Sequence, residues 1–219
     1  MDEAAVKTWF LEELDVPRET IDRLDAFVRL LARSNEQQNL VSRGTLAEVW
    51  TRHIADSAQL IRFAPSPNST WLDLGTGAGF PGLIVALLHP GAVALVEERK
   101  KRVEFLQESV HLLGLDGKVD IHHSKVERLG TGPFDVISAR AFAPLQRLLE
   151  LSHSFSTAKT RWILPKGRNA VSELEAVQTS WQGDFRLERS ITDADAGIIV
   201  AEGVSRMGRG TKRSGDGKR

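Results

Sequence analysis

Trp71-Leu-Asp-Leu-Gly-Thr-Gly-Ala-Gly-Phe-Pro-Gly82 decides the fold. Trp71 to Leu74 reads as a short buried strand, Gly75 to Gly79 as a turn, and Pro81 as the first helical turn, where a missing N–H is no loss. The apolar run Leu83-Ile-Val-Ala-Leu-Leu88 continues that helix under a sheet. Glycines at alternate positions, Gly75, Gly77 and Gly79, let the backbone approach a ligand closely with φ values that other residues resist. The helix start adds unpaired N–H groups and a partial positive charge.

The stretch also spells G-x-G-x-x-G from Gly77 to Gly82, the dinucleotide fingerprint. That match is weak by itself, and the carboxylate ahead of the turn argues against it. Asp73, two residues before Gly75, is a poor neighbour for a pyrophosphate. It is a good one, directly or through water, for the ammonium end of S-adenosylmethionine. A second acid is then expected at the tip of the next strand to accept from ribose hydroxyls. Ala92-Val-Ala-Leu-Val96 is that strand and Glu97 its tip, with Glu98 beside it as a competitor for the role. A methyl donor is the favoured ligand; a nicotinamide or flavin cofactor and a merely structural turn are the alternatives.

From Thr70 onward strand and helix patterns alternate. Strands are expected near 70–74, 92–97, 118–122, 134–138, 160–164, 184–190 and 196–203, and helices near 81–89, 99–113, 144–155 and 168–182. Alternation implies a mostly parallel sheet covered by helices, α/β and Rossmann-like, of seven strands. The last two strands, separated only by Ile191 to Asp195, read as an antiparallel hairpin at its edge. Ligands of such sheets bind at the carboxyl ends of the strands near the switch in strand order. Before the sheet, residues 1–66 read as a helical extension. Helices are expected over 3–14 and 18–34, the latter with Ile21, Leu24, Phe27, Val28 and Leu31 at helical spacing. A loop is expected at Ser34 to Asn39. A third helix is expected from a capping box of Thr45 with Glu48. The methyltransferase-like part then covers 67–205, and 206–219 is a basic, glycine-rich tail.

Apolar residues make up 41% and charged residues 26%, which fits a soluble globular chain. The absence of cysteine excludes disulfides and thiolate metal sites and fits a reducing cytoplasm. No signal peptide is expected from the acidic start, and the longest apolar run, Phe80 to Leu88, is too short to span a bilayer. Net charge is zero, yet six bases against one acid crowd the tail from Arg206, where phosphate contact and simple solubilisation are equally good readings.

Several blocks occur in a telling order: Asn39-Leu-Val-Ser42, Arg52-His-Ile-Ala-Asp-Ser57, Asp73 to Gly82, Lys101-Arg-Val-Glu-Phe-Leu106, Ser138-Ala-Arg-Ala-Phe142 and Lys166-Gly167. Over roughly residues 35–205 the set resembles the bacterial small-subunit ribosomal RNA methyltransferase G family, formerly the glucose-inhibited division protein B family. The resemblance implies a cytoplasmic enzyme that moves a methyl from S-adenosylmethionine to N7 of one guanosine, position 527 in the 530 loop of 16S rRNA. The implied partner is the rRNA or the small-subunit particle. Matching positions place the family's cofactor residues on Gly75, Phe80, Val126, Glu127 and Arg140. Asp73, Gly77, Gly79 and Glu97 follow from the class of site.

Guanine N7 carries a free lone pair on the major-groove edge, so transfer to it needs alignment and exclusion of water rather than a general base. Arg140, at the fourth strand tip, suits the methionine carboxylate, an RNA phosphate or guanine O6, against a structural ion pair. His53 and Asp56, three apart on one helix face, form a candidate pair beside Arg52 and Ser57. A structural hydrogen bond is the blander reading, and His53 with Arg140 is the candidate catalytic set. Arg52, Lys166 and Arg168 are expected to line a basic mouth with Arg140 for the RNA backbone. Phe142 is placed either against the target base or in the core. No metal is expected, since His53 and Asp56 have no third ligand. The competing functions are a small-molecule methyltransferase with a helical lid and a non-catalytic adenosylmethionine-binding module.

Overall fold

The computed structural model describes residues 1–207. The expected tail therefore lies outside the described residues from 208 onward. Seven strands form one sheet: β1 (Trp71–Leu74), β2 (Val93–Glu97), β3 (Val119–His123), β4 (Val136–Ser138), β5 (Arg161–Lys166), β6 (Trp181–Arg189) and β7 (Gly197–Arg206). Their order is β3-β2-β1-β4-β5-β7-β6. The first five run parallel, and β7 inserts antiparallel between β5 and β6. Strand order reverses between β1 and β4, so the tips of those two strands flank the natural ligand crevice.

Alternation along β1 divides the core. Trp71 points to the face covered by α5 (Gly82–Leu88) and α6 (Lys100–Leu113), while Leu72 and Leu74 point to the face covered by α7 (Leu145–Ser152) and α8 (Ala170–Val177). The N-terminal helices α1 (Glu3–Glu12) and α2 (Arg18–Gln38) join the first face in one continuous core. In α2 the buried stripe Ile21, Leu24, Phe27, Leu31 follows the helical spacing read from sequence. Phe27 meets Phe80 edge-on at 5.7 Å and lies 6.1 Å from Phe105, so the extension rests on the glycine-rich loop itself. Among the described residues no helix is long and apolar enough to cross a membrane.

Three elements depart from the sequence reading. α2 continues through Ser34 to Gln38 and stops only where Asn39 turns left-handed, with φ 47. The expected loop is helical because Asn35 points inward and accepts from the N–H of Val41, capping the exit from below. The helix α3 (Arg43–Ala47) is capped by Ser42, whose hydroxyl accepts from Thr45 N–H at 3.2 Å; Thr45 is inside the helix and Glu48 ends it. The chain then takes a wide π-helical turn, Trp50–Ala55, before the short α4 (Asp56–Ala58) and a 3₁₀ turn, Gln59–Phe63. Finally, the helix expected over 168–182 stops at Val177. The hydroxyls of Thr179 and Ser180 bond back to the carbonyls of Ala176 and Val177, which competes with helix continuation. Trp181 is in the core as expected, but as the first residue of β6.

The contact of α2 with the loop makes a stability prediction. Phe27→Ala removes a fully buried ring from between Phe80 and Phe105 and is expected to cost about 3–5 kcal/mol. Urea unfolding of the two proteins checks this through a lower midpoint at unchanged slope.

Candidate active site

The glycine-rich loop is built from underneath. Asp73 is fully buried, with one carboxylate oxygen accepting from Ser138 Oγ at 2.7 Å and the other from Gly82 N–H at 3.0 Å. Ser138 in turn accepts from Trp71 Nε1 at 2.8 Å. These bonds join β1, β4 and the start of α5. Gly75 and Gly77 cross the tip of β1 with φ 63 and 59. A Cβ on Gly75 would collide with the ring of Phe142, so glycine is required there for space as well as for conformation. Burial pushes the Asp73 carboxyl up to about 6, and the bonds from Ser138 and Gly82 work in the opposite direction. Asp73 lies below the loop and is not among the residues lining the cavities above it.

Three cavities open at the carboxyl ends of the strands. The first, about 410 Å³, lies between the tips of β2 and β3 and is lined by Gly75, Glu97, Val126, Glu127 and Phe142. Glu97 is nearly buried; it accepts from Gly77 N–H at 3.1 Å and Arg99 N–H at 2.9 Å. Glu98 is exposed and lines the same cavity. Glu127 reaches Arg147 at 3.3 Å. The second cavity, about 450 Å³, lies over the loop and is lined by His53, Gly75, Gly77, Phe80, Arg102 and Arg140. Gly79 is not part of either lining; its left-handed backbone lets α5 begin, and a Cβ there would run into Leu83. The third, about 570 Å³, lies between β4, β5 and the β6–β7 loop, lined by Arg52, Asp56, Arg140, Phe142, Lys166 and Glu173.

Ala141 alone is common to all three linings. Its φ is 51, a left-handed conformation that costs an alanine about 1–2 kcal/mol. The strained turn thus sits at the meeting point of the three cavities, the kind of place where backbone strain clusters. No sequence pattern singles out an alanine for this role.

The structure brings Arg52, Arg140, Phe142 and Lys166 to one mouth, as expected, with each cation matched to an acid. Arg52 meets Asp193 at 2.8 Å, Arg140 meets Asp56 at 3.4 Å, and Lys166 meets Glu173 at 2.9 Å. Arg168, largely exposed, meets Asp195 at 3.4 Å. The β6–β7 loop is also clipped to α4 and the turn that follows. Thr192 Oγ1 donates to Asp56 at 3.0 Å, and Gln59 bridges Ser190 Oγ and Ile191 N–H. Arg140 also donates to the carbonyl of Arg52 at 3.0 Å and lies 5.2 Å over the ring of Phe80.

The expected pair of His53 with Asp56 is not formed. Both lie in or next to the π-helical turn, whose wider winding takes residues three apart off a common face. Asp56 turns to Arg140, Gln59 and Thr192 instead. His53 stacks on Phe80, with centroids 4.9 Å apart and planes 19° apart, and neither ring nitrogen has a partner among the described residues. Burial, then the charges of Arg140 and Arg52, lower its pKa to about 3. The imidazole is therefore neutral and a poor base at physiological pH.

Comparison with known proteins follows the same lines. The family described as rRNA small subunit methyltransferase G matches residues 20–197. The chain is 49% identical over 214 residues, 97% of its own length and 98% of the other, to a protein of Rhizorhabdus wittichii named ribosomal RNA small subunit methyltransferase G. It is 51% identical over 184 residues, 84% of this chain and 88% of the other, to a protein of the same name from Erythrobacter litoralis. Among solved structures, cofactor-bound Rv0187 from MTB matches with TM-score 0.60 at 15% identity, covering 83% of this chain and 89% of that one. Ribosomal protein L11 methylase from Lactobacillus delbrueckii matches with TM-score 0.52 at 20% identity, covering 69% and 77%. At these identities the structures speak for the fold.

The buried carboxyl beneath the loop gives the site a pH signature. The folded-state value of Asp73, about 6, lies above the ordinary 3.8. Its contribution to stability is thus present at acid pH and lost as pH rises through about 6. A carbon-detected titration of Asp73 is expected to show a midpoint near 6. In Ser138→Ala, which removes a donor to the charged form, the midpoint is expected to move higher still.

Proposed function

Since the chain belongs to the rRNA small subunit methyltransferase G family and is an S-adenosylmethionine-dependent methyltransferase, we propose that it methylates N7 of a single guanosine, position 527 in the 530 loop of 16S rRNA. The observation that carries the placement of the reaction is the convergence of three cavities on Ala141. The first cavity suits adenosine, with Glu97 and Glu98 available to ribose hydroxyls and Val126 and Glu127 flanking the base. The second suits the methionine end, over Gly75 and Gly77 and against Phe80. The third suits the acceptor guanine. The fit of the donor rests on the left-handed Gly75 and Gly77 and on the acids at the β2 tip. When bound, the cofactor supplies a sulfonium-activated methyl.

The chain's own residues then have geometric tasks. Arg140, at the boundary of the second and third cavities, is placed to orient guanine through O6, the acceptor next to N7. Phe142 lines the acceptor cavity and offers a face for stacking. Arg52 and Lys166 stand at the mouth for the phosphate backbone. Asp73 holds the loop from below. Guanine N7 bears no proton at neutral pH, so no residue has to remove one. The site accordingly aligns the reactants and excludes water. The family name supports rRNA as the substrate. The helical extension 1–66 walls the second cavity through Leu40, Thr45 and His53.

Labelled methyl transfer from S-adenosylmethionine to small-subunit particles from cells lacking this protein tests the proposal. One 7-methylguanosine in the 530 loop is the expected product. Labelling of another nucleoside would overturn the assigned position, and no labelling with cofactor binding intact would overturn the RNA acceptor and point to a small-molecule one. Arg140→Ala is expected to stay folded and lose transfer by at least tenfold to a hundredfold, the range for a charged hydrogen bond made at the reacting centre. Gly75→Val, whose Cβ meets Phe142, is expected to lose cofactor binding in calorimetry.

A further inference from the structure

Among the described residues, three arginines and no carboxylate line the second cavity: Arg52, Arg102 and Arg140. Two of them are occupied. Arg52 is held by Asp193 at 2.8 Å, and Arg140 by Asp56 and the carbonyl of Arg52. Arg102 differs. It rises from the first turn of α6, and its guanidinium lies across the glycine-rich loop, 3.6 Å from where a Cβ of Gly77 would stand. Its side chain is about three-quarters buried, and its ion-pair partner is Glu97 at 3.6 Å, beyond good hydrogen-bond length. Glu97 is already engaged by two backbone N–H groups. Arg102 lines both the first and the second cavities. A guanidinium with planar, forked donors, largely withdrawn from water and without hydrogen bonds of its own among the described residues, is suited to a carboxylate.

We infer that Arg102 is the anion-binding residue of the second cavity, and that it holds the carboxylate of the cofactor's amino-acid moiety. This rests on the cofactor placement given above. The neighbours agree with an anionic ligand. Among the described residues no carboxylate lines this cavity to compete for the guanidinium, and Arg140 and Arg52 add positive charge to the same lining. Arg102 also leans on Glu97, so the residue that grips the carboxylate touches the residue placed at the ribose. The two ends of one ligand are thereby read by one connected pair.

Calorimetry without RNA tests the inference, using S-adenosylhomocysteine and its decarboxylated analogue, which keeps the adenosine, the thioether and the ammonium. For Arg102→Met, affinity for S-adenosylhomocysteine is expected to fall about tenfold to a hundredfold, as for loss of a charge-assisted bond. Affinity for the decarboxylated analogue is expected to stay within about threefold, and Arg102→Lys to recover part of the loss. An equal fall for both ligands would mean that Arg102 acts through Glu97 on the ribose, and would overturn the inference. Unchanged binding of both ligands with weakened capture of small-subunit particles would assign Arg102 to an RNA phosphate and overturn it as well. Failure of the unsubstituted chain to bind S-adenosylhomocysteine would instead strike the cofactor placement, a result distinct from each of these.

Discussion

A buried carboxylate holds the site together. Asp73 is fully buried in β1, between Leu72 and Leu74, where an unpaired charge would be costly. Donors from two other elements meet it: Ser138 from β4 and the N–H of Gly82 from the start of α5. The strand tips on either side of the topological switch are thereby tied to one helix N-terminus. That tie fixes where the glycine-rich loop passes, and the loop fixes where a ligand can lie. The neighbours are shaped to this bond as well. A Cβ on Gly82 would strike Leu95 and Asp73, so the glycine that ends the motif is there for the approach of α5 to the strand.

Around this anchor the cations of the mouth are neutralised from a distance in sequence. Arg52 and Asp193 are 141 residues apart, and Asp56 and Thr192 136. The β6–β7 loop and the segment around α4 therefore meet at the third cavity, although they belong to distant parts of the chain. Exposed pairs of this kind are individually weak. Together with the Gln59 bridge they set the position of a loop rather than the stability of the fold. The electrostatic character of the mouth follows: its positive groups are present, but each is already shared with a carboxylate.

Much of this was legible in the order of residues. The strand–turn–helix around Gly75, the second acid at Glu97, the parallel sheet with an antiparallel edge and the buried stripe of α2 all express local chemistry. Glycine permissiveness, helix capping and the 3.6-residue and two-residue periods act within a few positions, so a sequence displays them directly. What stayed hidden depends on distance or on context. The acids facing Arg52, Lys166 and Arg168 come from other segments. The π-helical turn that parts His53 from Asp56 leaves no mark in periodicity, and a stripe continuing to Trp181 looks helical until the hydroxyls of Thr179 and Ser180 end the helix. Ala141 is the extreme case, since nothing about an alanine announces a left-handed junction. Arg102 was visible within a motif, but its reach over Gly77 was not.

The partners of the acid and base groups around the cavities bear on the kind of chemistry the site can perform. His53 is held neutral by burial and by two neighbouring arginines, and its pKa near 3 makes it a poor proton acceptor. Asp73 is committed to Ser138 and Gly82 below the loop. Asp56 and Glu173 are engaged by Arg140 and Lys166. An enzyme that had to deprotonate an amine or a hydroxyl would need a base free to take the proton. These four groups do not meet that need, while guanine N7 makes no such demand. Placement of two reactants is sufficient for that acceptor. The poverty of acid–base machinery among these groups is thus a positive feature of the fit between this cavity and an acceptor that already carries its lone pair.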